Sequence, residues 1–192
     1  MRLVPWKPDD LARRLDDVIE VYGDAMGYRP EVLATRRGYI TTHLRRAGFR
    51  AVATLATDGS LVGFGYGYHS EPGQWWHDQV SAALEPSARK TWLVDCFEVV
   101  ELHVRPAAHG HGLGTRQLSA LLRMAEGATT LLSTPEGEES TSRAWRLYRR
   151  FQFVDVLRNL TFPGDSRAFA VLGRTLPLDP DSSPERPAHS TQ

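Results

Sequence analysis

The fold turns on one stretch, Val99-Val100-Glu101-Leu102-His103-Val104-Arg105-Pro106-Ala107-Ala108-His109-Gly110-His111-Gly112-Leu113-Gly114-Thr115. Its first six residues are mostly β-branched and apolar and read as a strand, and Pro106 ends the extended run. Beyond the glycines, Leu118, Leu121, Leu122 and Ala125 recur at i, i+3, i+4 and i+7, which predicts a helix over Thr115–Glu126 with Gly127 as its stop. Strand, glycine-rich turn and helix therefore follow one another without a gap. The first N–H groups of a helix lack internal partners and sit at the positive end of its dipole, so an anion belongs at this turn. Gly110, Gly112 and Gly114 let the backbone close around a diphosphate.

Two other nucleotide motifs fail on inspection. A P-loop needs four residues between its glycines and then Gly-Lys-Ser/Thr, but here Gly114 is followed by Thr115 and Arg116. The dinucleotide fingerprint G-x-G-x-x-G has Thr115 where its last glycine should fall. A coenzyme diphosphate is the anion that remains.

Upstream, the strand is expected to begin at Trp92. Ala51–Ala56 and Leu61–Tyr68 read as a hairpin turning at Asp58-Gly59. Gly63, Gly65 and Gly67 alternate with Phe64, Tyr66 and Tyr68, so one face of that strand lacks side chains, either for close approach or as a packing and twisting device. Leu11, Leu15, Val18, Ile19 and Tyr22 predict an opening helix over Asp10–Tyr22 with Asp9 as N-cap. A second helix is expected from Pro30 to Leu44, closed by Gly48. The pattern breaks between Ser70 and Lys90, which reads as an insertion containing a short helix. Downstream come a strand at Thr129–Thr134, a helix at Ser142–Phe151, and strands near Val154 and Phe169. One domain over residues 1–176 is expected, followed by a disordered proline-rich tail over 177–192.

At this point a resemblance becomes specific. Val104-Arg105-Pro106 followed by His109-Gly110-His111-Gly112-Leu113-Gly114 resembles the acetyl-CoA signature Q/R-x-x-G-x-G/A of the GNAT acyltransferases, with His109 in the glutamine or arginine position. The order of elements resembles the same family over roughly residues 1–173. Thr141, Ala144, Tyr148, Gln152 and Phe153 fall at the spacing of its later N-x-x-A-x-x-x-Y helix and Gly-Phe pair, Thr141 and Gln152 being the departures. The resemblance implies an α/β (α+β) fold with a mixed, largely antiparallel central sheet flanked by helices. It also implies N-acetyl transfer from acetyl-CoA to an amine by direct attack within a ternary complex, without metal. The coenzyme would be held by the strand backbone at Leu102, His103 and Val104, by His109, Gly110, His111, Gly112, Leu113, Gly114 and Thr115, and by Thr141.

An alkylammonium must lose a proton before it can attack a thioester. The resemblance points to Glu98 as the base, with Glu101 the alternative and His103 a further candidate. In a regular strand the odd separation of Glu98 and Glu101 puts them on opposite faces. By the same resemblance Tyr148 protonates the departing thiolate. A coenzyme sensor or a scaffold of the same fold would share the cradle, and only an enzyme would depend on Tyr148.

Lysine plus arginine equals aspartate plus glutamate at 23 each, which favours neither nucleic acid nor a membrane surface as partner. A small-molecule or peptide amine acceptor is expected, with a homodimer possible by family habit. Cys96 stands alone inside an apolar run and is expected to be buried and inert, consistent with a reducing, cytoplasmic setting. Met1–Trp6 meets charge at Lys7 and holds no apolar core long enough for a signal peptide or membrane span. His109 and His111 lack further ligands at metal-site spacing. Arg116 reads as a solvated surface residue, and the place of Trp75 and Trp76, acceptor wall or packing, is left open.

Overall fold

The computed structural model describes residues 1–28 and 30–178. In chain order the elements are β1 (Arg2–Trp6), α1 (Pro8–Arg13), α2 (Leu15–Met26), α3 (Pro30–His43), β2 (Arg50–Leu55), β3 (Leu61–Ser70), α4 (Trp75–Ala83), α5 (Pro86–Trp92), β4 (Cys96–Val104), α6 (Leu113–Met124), β5 (Thr129–Pro135), α7 (Arg143–Arg150), β6 (Val154–Thr161) and β7 (Ala168–Thr175). The strands form one sheet in the order β1-β2-β3-β4-β5-β7-β6, antiparallel except between β4 and β5. This is the mixed, largely antiparallel arrangement expected.

Helices cover both faces. Leu11, Val18, Val21 and Tyr22 of α1 and α2 pack with Ile40 of α3 against Ala51, Ala53, Phe64, Tyr66 and Tyr68. On the opposite face Leu118, Leu121 and Leu122 of α6 and Trp145 and Leu147 of α7 cover Val52, Phe97, Val99, Leu132 and Leu172. Because side chains alternate along a strand, Leu131 and Val171 return to the first face, where α4 and α5 meet them through Trp76, Val80, Leu84 and Leu93. The insertion is thus two helices roofing the β5–β7 half of the sheet, beside the α1–α3 half.

Several boundaries differ from expectation for identifiable reasons. Arg2–Trp6 is an edge strand, which Pro5 disguises and which tolerates a proline for the same reason. The opening helix starts at Pro8 rather than behind Asp9, and Asp10 Oδ2 accepts from the Lys7 amide at 2.9 Å. It then breaks at Arg14, although the spacing of Leu11, Leu15 and Val18 runs through the break. Trp92 ends α5, so β4 begins only at Cys96; α6 begins at Leu113, two residues ahead of Thr115. Gly48 lies beyond the end of α3, in the turn before β2. The tail expected to be disordered lies, past Leu178, outside the described residues.

Two irregularities of β4 set up the site. First, Tyr66 pairs with Glu101 but Gly67 pairs with Val99, so Val100 is an extra, bulged residue. Gly67 is obligatory there, since a Cβ would overlap the Glu98 carbonyl oxygen and the Phe97 ring. Gly63 and Gly65 admit Gln117 of α6 and Leu102 in the same way, each 2.6–2.7 Å from where a Cβ would stand. The bare face of β3 is therefore a packing surface for α6 and β4. Second, β4 and β5 pair only over Cys96–Glu98 and Thr129–Leu131, although β4 runs on to Val104 and β5 to Pro135. From Val99 and Leu132 onward the two strands part and a gap opens in the sheet.

Candidate active site

The gap leads to the glycine turn. After Val104 the chain turns through a single 3-10 turn at Pro106–Ala108, with buried Ala108 anchoring it against Val62 and Leu113. Gly110 and Gly112 then adopt φ of +84° and +70°, and a Cβ at either would meet nothing within 4 Å. Backbone conformation, not space, demands glycine at both. Gly112 is the N-cap of α6 and provides no side-chain acceptor, leaving the first-turn amides uncapped by the chain. The first turns of α6 and of α7 contain no acidic residue.

His109 is tied down from both ring nitrogens. Nε2 lies 2.9 Å from the Val104 carbonyl oxygen, which can only accept, so Nε2 carries the proton. Nδ1 is then an acceptor and receives Arg143 Nη1 at 2.6 Å. Arg143, the first residue of α7, was not singled out in the sequence; only its place two residues after Thr141 could have drawn attention to it. His111 Nδ1 sits 3.3 Å from the Ala108 carbonyl. Thr141 donates to the Glu138 carbonyl at 3.2 Å and remains exposed.

On the other side of the gap, the bulge at Val100 overturns the expected separation of the two glutamates. Phe97, Val99 and Leu102 face α6, whereas Val100 packs with the α1–α3 core and His103 with Tyr22. The extra residue places Glu98, Glu101 and His103 together on the α1–α3 face. Glu98 is 4% exposed, and its Oε2 has no hydrogen-bond partner among the described residues. Burial, reinforced by the neighbouring Glu101 charge and opposed by Arg46, pushes its carboxyl up to about 8. Glu101 Oε2 contacts His103 Nε2 at 2.6 Å. Around them His43 Nδ1 meets the Tyr66 hydroxyl at 3.0 Å, and burial lowers His43 to about 4, so it is neutral at physiological pH. Tyr22, Tyr66 and Tyr68 all have hydroxyls pushed up, by burial first and by the glutamate charges second.

Tyr148 approaches from the opposite face of the sheet. Ser142 caps α7 by accepting from the Trp145 amide, and the helix presents a half-buried Tyr148 whose ring lies 5.9 Å from Phe153. Burial and then the Glu101 charge raise its hydroxyl to about 12, so it stays protonated. Gln152, where the resemblance places glycine, holds φ at +61° without being glycine.

Other candidates fall elsewhere. Cys96 is buried and its thiol is pushed up to about 12, chiefly by burial, which leaves it unreactive. Trp76 is core and donates to Ser133 Oγ at 3.2 Å, while Trp75 is exposed against Phe162. Arg116 is exposed and lines a cleft of about 540 Å³ between β1 and α6, with Leu3, Val52, Ala120 and Met124, which does not include Glu98, Glu101 or Tyr148. Among the described residues, no group of three or more His, Cys, Asp or Glu is placed to hold a metal ion, and no helix is long and apolar enough to cross a membrane.

The profile of the acetyltransferase (GNAT) family matches residues 15–153, a span that contains the gap, the glycine turn and α7. The chain belongs to the GNAT acetyltransferase family. It is 39% identical over 202 residues to the GCN5-like protein acetyltransferase Rv2170 of Mycobacterium tuberculosis, covering 92% of this chain and 98% of that protein. The GNAT fold is shared with a GNAT-family acetyltransferase from Bacillus cereus (TM-score 0.59, 15% identity, 91% and 96% of the two chains). It is shared also with an N-acetyltransferase from Staphylococcus aureus (TM-score 0.60, 17% identity, 91% and 99%).

Proposed function

We propose that this GNAT protein transfers an acetyl group from acetyl-CoA to an amine carried on a protein, by direct attack. The observation that carries the reading is the gap between β4 and β5, with two carboxylates at one side and an acid-free, uncapped helix N-terminus at its end. The residues fit the coenzyme: Gly110–Thr115 offer main-chain amides to a diphosphate, and Leu102–Val104 offer an unpaired strand edge to the amides of a pantetheine arm. Thr141 keeps acceptor capacity on its hydroxyl. The name of the M. tuberculosis relative, a protein acetyltransferase, supports a protein-borne amine as acceptor. The single, buried cysteine fits a reducing cytoplasmic setting.

Glu101 removes the proton of the attacking ammonium. Glu98 holds its own proton at neutral pH, whereas the Glu101 carboxyl is held in place by His103 Nε2 at 2.6 Å on the shared face. The amine nitrogen then forms the C–N bond, the C–S bond breaks as Tyr148 gives its proton to the departing sulfur, and the surplus proton left on the nitrogen returns to the Tyr148 oxygen, so that amide, free thiol and a tyrosine hydroxyl result with one proton held by Glu101. Acetyl-CoA supplies the thioester carbonyl. Calorimetric titration of acetyl-CoA, beside a Gly112→Glu variant that puts a carboxylate at the anion site, tests the coenzyme reading; thiol release with a lysine-containing protein tests transfer. Absence of acetyl-CoA binding to the parent would sink the assignment.

A further inference from the structure

The position that the resemblance reserves for glutamine or arginine is filled by His109, whose two ring nitrogens are both engaged, one by the Val104 carbonyl and one by Arg143. We propose that Arg143 is a coenzyme-phosphate ligand, positioned by His109, and that it binds the diphosphate of the acyl donor. The inference rests on the coenzyme reading above and adds to it a residue from a different element.

The geometry leaves His109 one role. Its Nε2–H is committed to the Val104 carbonyl at 2.9 Å, at the last residue of β4. The remaining ring lone pair, on Nδ1, holds one N–H of Arg143 at 2.6 Å. The ring therefore clamps a guanidinium from the first residue of α7 beside the residue that immediately precedes Gly110. Ser142, the N-cap of α7, fixes the backbone from which Arg143 projects. A guanidinium carries five N–H donors in a planar fork, so four remain after the bond to His109. Unlike Arg149, Arg158 and Arg167, each paired with a carboxylate, Arg143 has no carboxylate within ion-pair distance among the described residues. A cation held by a ring nitrogen, beside the turn that leads into uncapped helix amides and with no carboxylate within ion-pair distance among the described residues, is arranged for an incoming anion. Its planar fork matches two phosphate oxygens.

The test uses the full chain and three donors: acetyl-CoA, its 3′-dephospho form and S-acetylpantetheine, which lacks the diphosphate. Arg143→Ala should weaken the first two equally, by roughly 10-fold or more as expected for a lost charge-assisted phosphate contact, and leave S-acetylpantetheine unchanged. Arg143→Lys should recover part of the loss, and His109→Ala should reproduce its pattern more weakly, because it frees the guanidinium without removing it. Melting temperature of Arg143→Ala should match the parent. Unchanged acetyl-CoA affinity in Arg143→Ala overturns the proposal, as does equal weakening of all three donors. Loss confined to the 3′-phosphorylated donor overturns the diphosphate assignment. In each of these cases the coenzyme reading survives; a parent protein that binds none of the three overturns both.

Discussion

Glu98 makes this fold less stable as pH rises, and replacing it should remove that effect. Its carboxyl stands at about 8 in the folded chain against an ordinary value of 4.5, mainly because burial at 4% exposure disfavours the charge. Between those two values the unfolded chain has released this proton and the folded chain has kept it, so unfolding becomes easier with each step in pH. Above about 8 the folded carboxyl ionises too and the loss stops growing. Each tenfold change in proton affinity is worth about 1.4 kcal/mol, so the ceiling is about 5 kcal/mol, and water penetration and local relaxation bring the expected loss to about 2–3 kcal/mol. Glu98→Gln keeps the shape and removes the titration. Urea unfolding of both proteins at pH 5 and pH 8 should show the variant gaining about 2–3 kcal/mol relative to the parent between the two. The pH-dependent difference is the readout, because any constant offset reflects the amide's own fit. A difference that does not change between pH 5 and pH 8 would refute the placement of an unpaired, buried carboxyl at this position.

Tyr148→Phe should lower kcat by about 100-fold while leaving acetyl-CoA affinity nearly unchanged, which steady-state kinetics and calorimetry separate. Glu101→Gln should cut kcat by a comparable factor; since the Glu101 charge helps to raise Glu98, the midpoint of the Glu98 carboxyl, followed by NMR, should fall below about 8. Gln152→Gly should stabilise the fold by about 0.5–1 kcal/mol, the left-handed penalty of about 1–2 kcal/mol being partly offset by glycine's greater chain entropy; thermal melts check the sign. Gly67→Ala should cost about 3 kcal/mol in urea unfolding, because its Cβ meets backbone at Glu98 that cannot swing aside.

What the sequence revealed was what repeats locally. The stripe Leu118, Leu121, Leu122 marked α6 and its glycine-rich start because one helix face packs on one sheet face, and the Asp58-Gly59 hairpin followed from turn chemistry alone. The break at Arg14 was hidden because apolar spacing continues across it, and β1 was hidden because a five-residue edge strand with a proline has too little pattern to register. Arg143 was invisible for a different reason. Its meaning depends on a ring 34 residues away, and nothing in either local segment announces the pairing.

The two glutamates show how a local rule misleads where chemistry is built. Period-two alternation places Glu98 and Glu101 on opposite faces, and that holds for any strand in regular register. The register of β4 is not regular: Val100 is inserted opposite the Tyr66/Gly67 step, and one inserted residue moves everything beyond it to the other face. The sequence did contain the trace of this, since Gly67 is the one residue that lets the Glu98 carbonyl press against β3. Its alternation with Tyr66 and Tyr68 reads equally as packing, so the glycine alone could not locate the bulge. Pairing of β4 with β5 ends at Glu98, two residues before the bulged Val100, so the irregularity that gathers the carboxylates lies close to where the strands part. The bulge puts both carboxylates on one face beside the opening between β4 and β5, so under the proposed mechanism substitutions at Gly67 should damage stability and transfer together.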